Sequence, residues 1–248
     1  MAATAGPDKV SLPAIEFSIQ DVMLAINNQD ATLKIGEGGF GQVYRGMLRG
    51  VVVAVKVLNI FQQRDTFEEL SREVQAVGMI HHPNIVHLIG YAVSRDEGLF
   101  CIVYEYVDGG SVGDAIRKHK KGEAVLRYEV QLRILQDFAE ALVYIHARGA
   151  VHADVKPNNI LLSSDPFQQS PSPTSAQGEV PEVHAKLCDF GFTRFRHKVN
   201  DNTHTHIPMT RGGVTEGYAD PVAMSEGKLS AKTDVYSMVL YNTTTTLT

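Results

Sequence analysis

The sequence predicts an α+β chain whose strands come early and whose helices come late. From Leu33 onward, segments rich in β-branched residues are broken by a glycine cluster, Gly36 to Gly41, and by a turn at Arg49-Gly50, the pattern of paired antiparallel strands. Further along, Tyr128 to Ala147 carries Leu132, Leu135, Phe138, Leu142 and Ile145 on one helical face. The 248 residues, 44% of them hydrophobic, suffice for one large domain or two closely packed lobes.

Taken in order, the first dozen residues read as a loose tail. Ser18, with Asp21 three positions later, makes a capping-box pattern ahead of Ile19, Val22, Met23 and Ile26, which predicts a short amphipathic helix ending near Asn27-Asn28. Strands follow from Leu33 to the apolar run Val53-Ala54-Val55-Lys56. Thr66 and Glu69 form a second capping box, and Phe67, Leu70, Val74 and Val77 recur at helical spacing. Strand-like runs return at Ile85 to Val93 and Leu99 to Val107, before the long helix. Ser163 to Glu182, rich in Ser, Pro and Gln, cannot bury enough apolar surface to offset its ordering entropy. It is expected to be a mobile surface insertion, with Ser170 and Ser172, each followed by proline, as candidate phosphorylation sites. The expected divisions are a tail and helix over 1–32, a strand-rich lobe over 33–103, a helical lobe over 104–241 containing the insertion 163–182, and a low-complexity end over 242–248.

A net charge of -5 argues against a broad cationic face and so against nucleic-acid wrapping. Two cysteines, Cys101 and Cys188, suit a reducing compartment, and the cytoplasm is the expected location. The N-terminus lacks a basic segment followed by an apolar core, and no apolar run reaches bilayer length. Nothing here specifies an oligomeric state. His81, His82 and His87 lack metal-ligand spacing, and Cys188 reads as a packed thiol rather than a redox switch.

Phosphate chemistry must then be local. Gly36-Glu37-Gly38-Gly39-Phe40-Gly41 matches G-x-G-x-x-G, a pattern arising by chance about 0.1 times in a chain of this length. A plain hairpin turn and a dinucleotide site are alternatives, though the latter needs a helix after the last glycine, and Gln42-Val43-Tyr44 continues as strand. Lys56 stands in an apolar strand, where an unpaired ammonium is costly, and Glu73 lies at the edge of the following helix's apolar stripe, within reach of a lysine on an adjoining sheet. His152-Ala153-Asp154-Val155-Lys156-Pro157-Asn158-Asn159 can aim a carboxylate, an ammonium and an amide at one centre. Asp189-Phe190-Gly191, after the strand Ala185-Lys186-Leu187, adds a second carboxylate.

In this order the segments resemble the protein kinase signature set of glycine loop, strand lysine, helix glutamate, catalytic loop and DFG, from about Leu33 to Tyr236. Phe17-Ser18, Asn27-Asn28 and Ile35 to Gly41 are similar to the tyrosine-kinase-like group that contains plant receptor-like kinases and interleukin-receptor-associated kinases. The resemblance implies a two-lobed kinase-like fold, a small antiparallel sheet lobe plus a mainly helical lobe. It implies ATP and Mg2+ as cofactors and protein substrates offering Ser or Thr hydroxyls.

By the same resemblance, the backbone amides of Gly36 to Gly41, Gly38 among them, would fold over the phosphates, with Ile35 also in the nucleotide site; Lys56 would grip the phosphates, and Glu73 would hold Lys56. Val43, Ala54 and Leu161 would enclose adenine, beside the gatekeeper Tyr104 and the hinge residues Glu105 and Val107. Asn159 and Asp189 would hold the metal. Asp154 would orient the acceptor hydroxyl and take its proton, Lys156 would steady the γ-phosphate, and Thr215 would shape the acceptor site. Val77, His152 and Phe190 would stack above Asp234. A lysine two residues after the catalytic Asp is the mark of serine/threonine-directed members.

Three departures stand out. Ala153 replaces the usual arginine, so the partner for a phosphorylated activation loop is missing. Turnover is therefore expected to survive replacement of Thr203, Thr205 and Thr210 together by alanine; near-total loss of activity in a kinase assay contradicts this. Val222 stands where the family usually has a glutamate that pairs with a later arginine, which is also missing. Finally, Lys232 to Ser237 matches the start of a central helix, yet the sequence after Tyr241 becomes a threonine tract. The lower lobe is thus expected to be incomplete at the C-terminus and marginally stable, since each uncovered apolar side chain forfeits roughly 1.5–3 kcal/mol. The rival to an active enzyme is a pseudokinase or truncated scaffold that binds nucleotide without efficient transfer.

Overall fold

Val53, Val55 and Val57 turn one way from their strand and Ala54 and Lys56 the other, and this alternation decides which side of the first sheet is core. The computed structural model describes residues 14–38, 41–59, 70, 74, 77–167, 182–195, 207–208, 217–218 and 220–246. They fall in two compact units: residues 1–81 with 87–106, and 82–86 with 107–248.

In the first unit β1 (Ile15–Glu16), β2 (Lys34–Gly38), β3 (Gly41–Leu48), β4 (Val51–Asn59), β5 (Leu88–Ser94) and β6 (Leu99–Glu105) form one sheet in the order β1-β5-β6-β4-β3-β2. All pairings are antiparallel except β1 with β5, which run parallel. The Arg49-Gly50 turn forms as expected, both residues having positive φ (51° and 82°) between the paired Leu48 and Val51. That is the backbone twist a two-residue hairpin favours. Helix α1 (Ile19–Ala25) starts at Ser18, whose Oγ accepts the Asp21 amide at 3.0 Å. It packs Ile19 and Val22 against Tyr44, Val53, Val55, Val57, Cys101 and Val103.

This segment lies so close to the sheet that a Cβ on Gly90 would sit 2.2 Å from the Ile15 carbonyl oxygen, and one on Gly46 would sit 2.9 Å from that of Ala25. A two-residue strand such as β1 has no periodicity to read, and sequence reasoning missed it. Leu70, Val74 and Val77 lie in helical backbone and are buried, in agreement with their spacing. Thr66, Phe67, Glu69 and Glu73 fall outside the described residues.

Cys101 is fully buried in β6, and burial, then the charge of Glu97, pushes its thiol up to about 12. The thiolate is the reactive form, so Cys101 is expected to resist iodoacetamide at pH 8 until the chain is denatured, read by mass spectrometry. Because the proton is held more tightly when folded, this contribution to stability is complete below the unfolded thiol's value and is lost as pH rises from there toward 12.

Among the described residues, the second unit contains α2 (Val112–Lys120), α3 (Tyr128–Ala147), α4 (Pro221–Glu226) and α5 (Ala231–Thr246), with three two-stranded antiparallel pairs. These join β7 (Ala150–Val151) to β10 (Arg194–Phe195), β8 (Ile160–Leu162) to β9 (Ala185–Leu187), and β11 (Ile207–Pro208) to β12 (Lys228–Leu229). A full capping box, Ser111 with Asp114, starts α2.

Helix α3 has the limits its pattern predicts, but its buried stripe is Val130, Ile134, Phe138, Ala141, Leu142 and Ile145, while Leu132 is 47% exposed. Steps of four, four, three and four from Val130 track the helical period better than a row begun at Leu132. Helix α5 continues through the threonine tract to Thr246. Threonine is a mediocre helix former, yet adding turns to an existing helix avoids the cost of nucleation. The ends of the Ser163 to Glu182 insertion are fastened together: the Ser163 amide donates to the His184 carbonyl at 2.9 Å, and the His184 amide donates to Ser163 Oγ at 2.9 Å. Residues 168–181, with Ser170 and Ser172, lie outside those described.

Candidate active site

In the first unit the antiparallel register puts the expected nucleotide residues on one face. Gly36 pairs with Val43, Val43 with Lys56, and Ala54 with Tyr104. Directly opposed residues share a face, as do residues two apart on one strand. Val43, Ala54, Lys56 and Tyr104 are therefore on the face opposite Val53, Val55 and Val57, the side away from α1. Lys56 is buried in β4 and Ile35 is exposed. Gly41 ends the glycine cluster with φ 128°, and a Cβ there would stand 2.3 Å from the Val57 carbonyl oxygen, so the hairpin itself demands this glycine. Gly38 pairs with Gly41, while Gly39 and Phe40 lie outside the described residues. At the end of β6 the Glu105 amide donates to the His87 carbonyl at 3.0 Å, and its carboxylate accepts the His87 amide at 2.8 Å. The chain passes from first unit to second between Tyr106 and Val107.

In the second unit the catalytic-loop residues converge on one carboxylate. Asp154 is 2% exposed, and its Oδ2 accepts from Lys156 Nζ at 2.8 Å and from Asn159 Nδ2 at 2.9 Å. The same Asn159 Nδ2 donates to the Asp154 carbonyl at 2.9 Å. With its amino group placed between two acceptors, the Asn159 amide is oriented, and Oδ1 is its remaining acceptor. A 3-10 turn at Pro157–Asn159 brings Asn159 back toward Asp154.

Beneath this loop lies Asp234 of α5, 1% exposed. Its Oδ2 accepts the His152 amide at 2.9 Å and its Oδ1 the Ala153 amide at 2.8 Å. His146 Nε2 lies 2.8 Å from Oδ2. Ala153 adopts a left-handed conformation, φ 67°, so its amide serves the Asp234 clamp at the position where the resemblance expects an arginine.

Asp189 is joined to the loop through the backbone. His152 Nε2 meets the Cys188 carbonyl at 3.0 Å, the Cys188 amide donates to the Asn159 carbonyl at 2.9 Å, and Ile160 pairs with Leu187 across β8 and β9. Asp189 itself is left-handed, φ 61°, a sparsely populated state of the kind that gathers at functional sites. Phe190 packs edge-on to His152 with ring centroids 5.0 Å apart, so that part of the expected column is present. Leu161, in β8, bridges to Ser111.

The site thus offers the Asn159 amide oxygen and the Asp189 carboxylate, hard oxygen donors that suit Mg2+. Val222, 60% exposed, is the second residue of α4, whose first turn is capped by Asp220. Thr203, Thr205, Thr210 and Thr215 fall outside the described residues. Sequence reasoning passed over Asn84 and Asp137, which hold β9; the readable signal was an acidic residue within an otherwise apolar helical stripe.

Comparison with known proteins identifies the family. Residues 30–246 match the family model described as protein kinase domain. The chain is 37% identical over 225 residues to the U-box domain-containing protein 33 of Arabidopsis thaliana, covering 90% of this chain and 24% of that protein. It is 34% identical over 234 residues to the chitin elicitor receptor kinase 1 of the same plant, covering 92% of this chain and 32% of the relative. A putative leucine-rich repeat receptor-like serine/threonine-protein kinase, also from Arabidopsis thaliana, is 33% identical over 225 residues, 89% of this chain and 22% of its own length. The chain therefore spans about a quarter to a third of these curated relatives. With the signature residues in register on the sheet and around Asp154, and the family model covering most of its length, the chain belongs to the protein kinase family.

Proposed function

We propose that the chain transfers the γ-phosphoryl group of ATP, with Mg2+, to serine or threonine hydroxyls of protein substrates. The observation that carries this reading is the convergence of Lys156 and Asn159 on the buried carboxylate of Asp154, in a loop bonded to Cys188, which links β9 to Asp189. Asp154 orients the acceptor hydroxyl and takes its proton, while Lys156, held beside it, meets the charge on the transferred group. Asn159 and Asp189 hold Mg2+, which when bound neutralises charge on the phosphates. Lys56 supplies positive charge for the phosphates, and Val43, Ala54 and Leu161 the apolar surfaces for adenine. Serine/threonine preference follows from Lys156, two residues after Asp154, and is in keeping with relatives named as serine/threonine-protein kinases. We place the activity in the cytoplasm on the strength of two cysteines that are not joined in a disulfide.

Ala153 and the exposed Val222 favour a second reading, a nucleotide-binding scaffold without efficient transfer. Incubation with radiolabelled ATP and a generic basic protein, followed by acid hydrolysis, separates the two. The enzyme reading expects labelled phosphoserine or phosphothreonine that disappears with EDTA. Incorporation no greater than in Asp154→Asn supports the scaffold.

A further inference from the structure

We propose that Asp137, on α3 and outside every signature motif, is a positioning residue that fixes β9 and thereby the placement of Asp189. The inference rests on the kinase reading in that Asp189 is taken as a metal ligand. Asp137 is 7% exposed within a stripe formed by Ile134, Phe138 and Ala141. A carboxylate is costly to bury in such surroundings unless it is hydrogen-bonded, so its partners indicate what it is there to hold. Its Oδ2 accepts the Ala185 amide at 2.8 Å and lies 3.2 Å from His184 Nδ1. On the other side of the same residue, the buried Asn84 donates its Nδ2 to the Ala185 carbonyl at 3.1 Å. The first residue of β9 is thus gripped at both its amide and its carbonyl by side chains distant in sequence.

The far end of the strand is fastened as well. Leu187 donates its amide to the Asn84 carbonyl at 2.8 Å and accepts the Val86 amide at 2.9 Å, while β8 lines the opposite edge. Only Cys188, whose amide and carbonyl are bonded to Asn159 and His152, separates this strand from Asp189. With so little chain between, freeing Ala185 lets β9 shift, and the Asp189 carboxylate moves relative to Asn159. Among these anchors Asp137 alone presents a charged acceptor to a backbone amide, a stronger bond than a neutral pair. An asparagine still offers an oxygen to the Ala185 amide, whereas a leucine of similar size does not.

The test uses the full chain as wild type, Asp137→Asn and Asp137→Leu, with Asp137→Ser as a shorter substitute in case leucine prevents folding. Hydrogen exchange over residues 183–189 reports the strand. Calorimetry with a non-hydrolysable ATP analogue, with and without Mg2+, reports the metal site. In the leucine or serine variant we expect faster exchange at Ala185 and a roughly 10- to 100-fold smaller gain in nucleotide affinity on adding Mg2+. Metal-free nucleotide affinity should be unchanged, and asparagine, which keeps a neutral acceptor for the Ala185 amide, should fall between leucine and wild type. A folded leucine or serine variant with wild-type exchange and wild-type Mg2+ dependence overturns the proposal. A wild-type chain whose nucleotide binding ignores Mg2+ counts against the kinase reading instead, and the exchange comparison then decides alone whether Asp137 holds Asp189 in place.

Discussion

Replacing Asp154 with asparagine is expected to lower the rate of phosphoryl transfer by roughly 10²- to 10⁴-fold, the usual contribution of a positioned general base, while leaving the fold intact. The replacement is isosteric, and its amide oxygen can take the place of Oδ2, accepting from Lys156 Nζ and Asn159 Nδ2 as the carboxylate does at 2.8 and 2.9 Å. What the amide cannot do is accept the hydroxyl proton. The loss should therefore appear in kcat rather than in the KM for Mg·ATP, and the melting curve should stay close to that of wild type. Steady-state kinetics on both proteins check this, and equal kcat values contradict the role given to Asp154.

Asp234→Ala should have the largest effect on stability. Truncation leaves the buried amides of His152 and Ala153 without the acceptors they reach at 2.9 and 2.8 Å, and it removes the group beside His146. Each stranded donor costs about 1–3 kcal/mol, so roughly 2–6 kcal/mol is at stake, a large share of the roughly 5–15 kcal/mol that keeps a domain folded. The damage should not stop at stability. The Asp234 clamp holds Ala153 in its left-handed state directly before Asp154, so activity should fall even at temperatures where the variant is folded. Denaturant melts paired with kinase assays test both halves, and a variant matching wild type in both would show that the clamp is dispensable.

Much of this site was legible because its residues are short-range in sequence. Asp154, Lys156 and Asn159 lie within one turn-rich segment, and the period-two alternation around Lys56 is enough by itself to assign that lysine to a face. The limits of α3 and the Arg49-Gly50 turn follow from equally local rules. What stayed hidden depends on partners far along the chain. Asp137 stands out as an acid within an apolar helical stripe, but what it holds is hidden until β9, 48 positions later, brings the Ala185 amide to it. Gly46 and Gly90 look like weak points in strands until Ala25 and Ile15 pass close over them. By contrast, Val130 as the buried residue and Leu132 as the exposed one could be read from the helical period itself.

In the proposed function, Asp154, Asn159 and Asp189 make one metal-dependent phosphoryl-transfer site. Its most direct test is the initial rate of γ-phosphate transfer as Mg2+ is titrated, in wild type and in Asp189→Ala. The wild-type rate should rise from background to saturation with Mg2+, and the variant should be at least about 10²-fold slower at every concentration. Transfer that proceeds without a divalent metal, or that survives the loss of the Asp189 carboxylate, would contradict it.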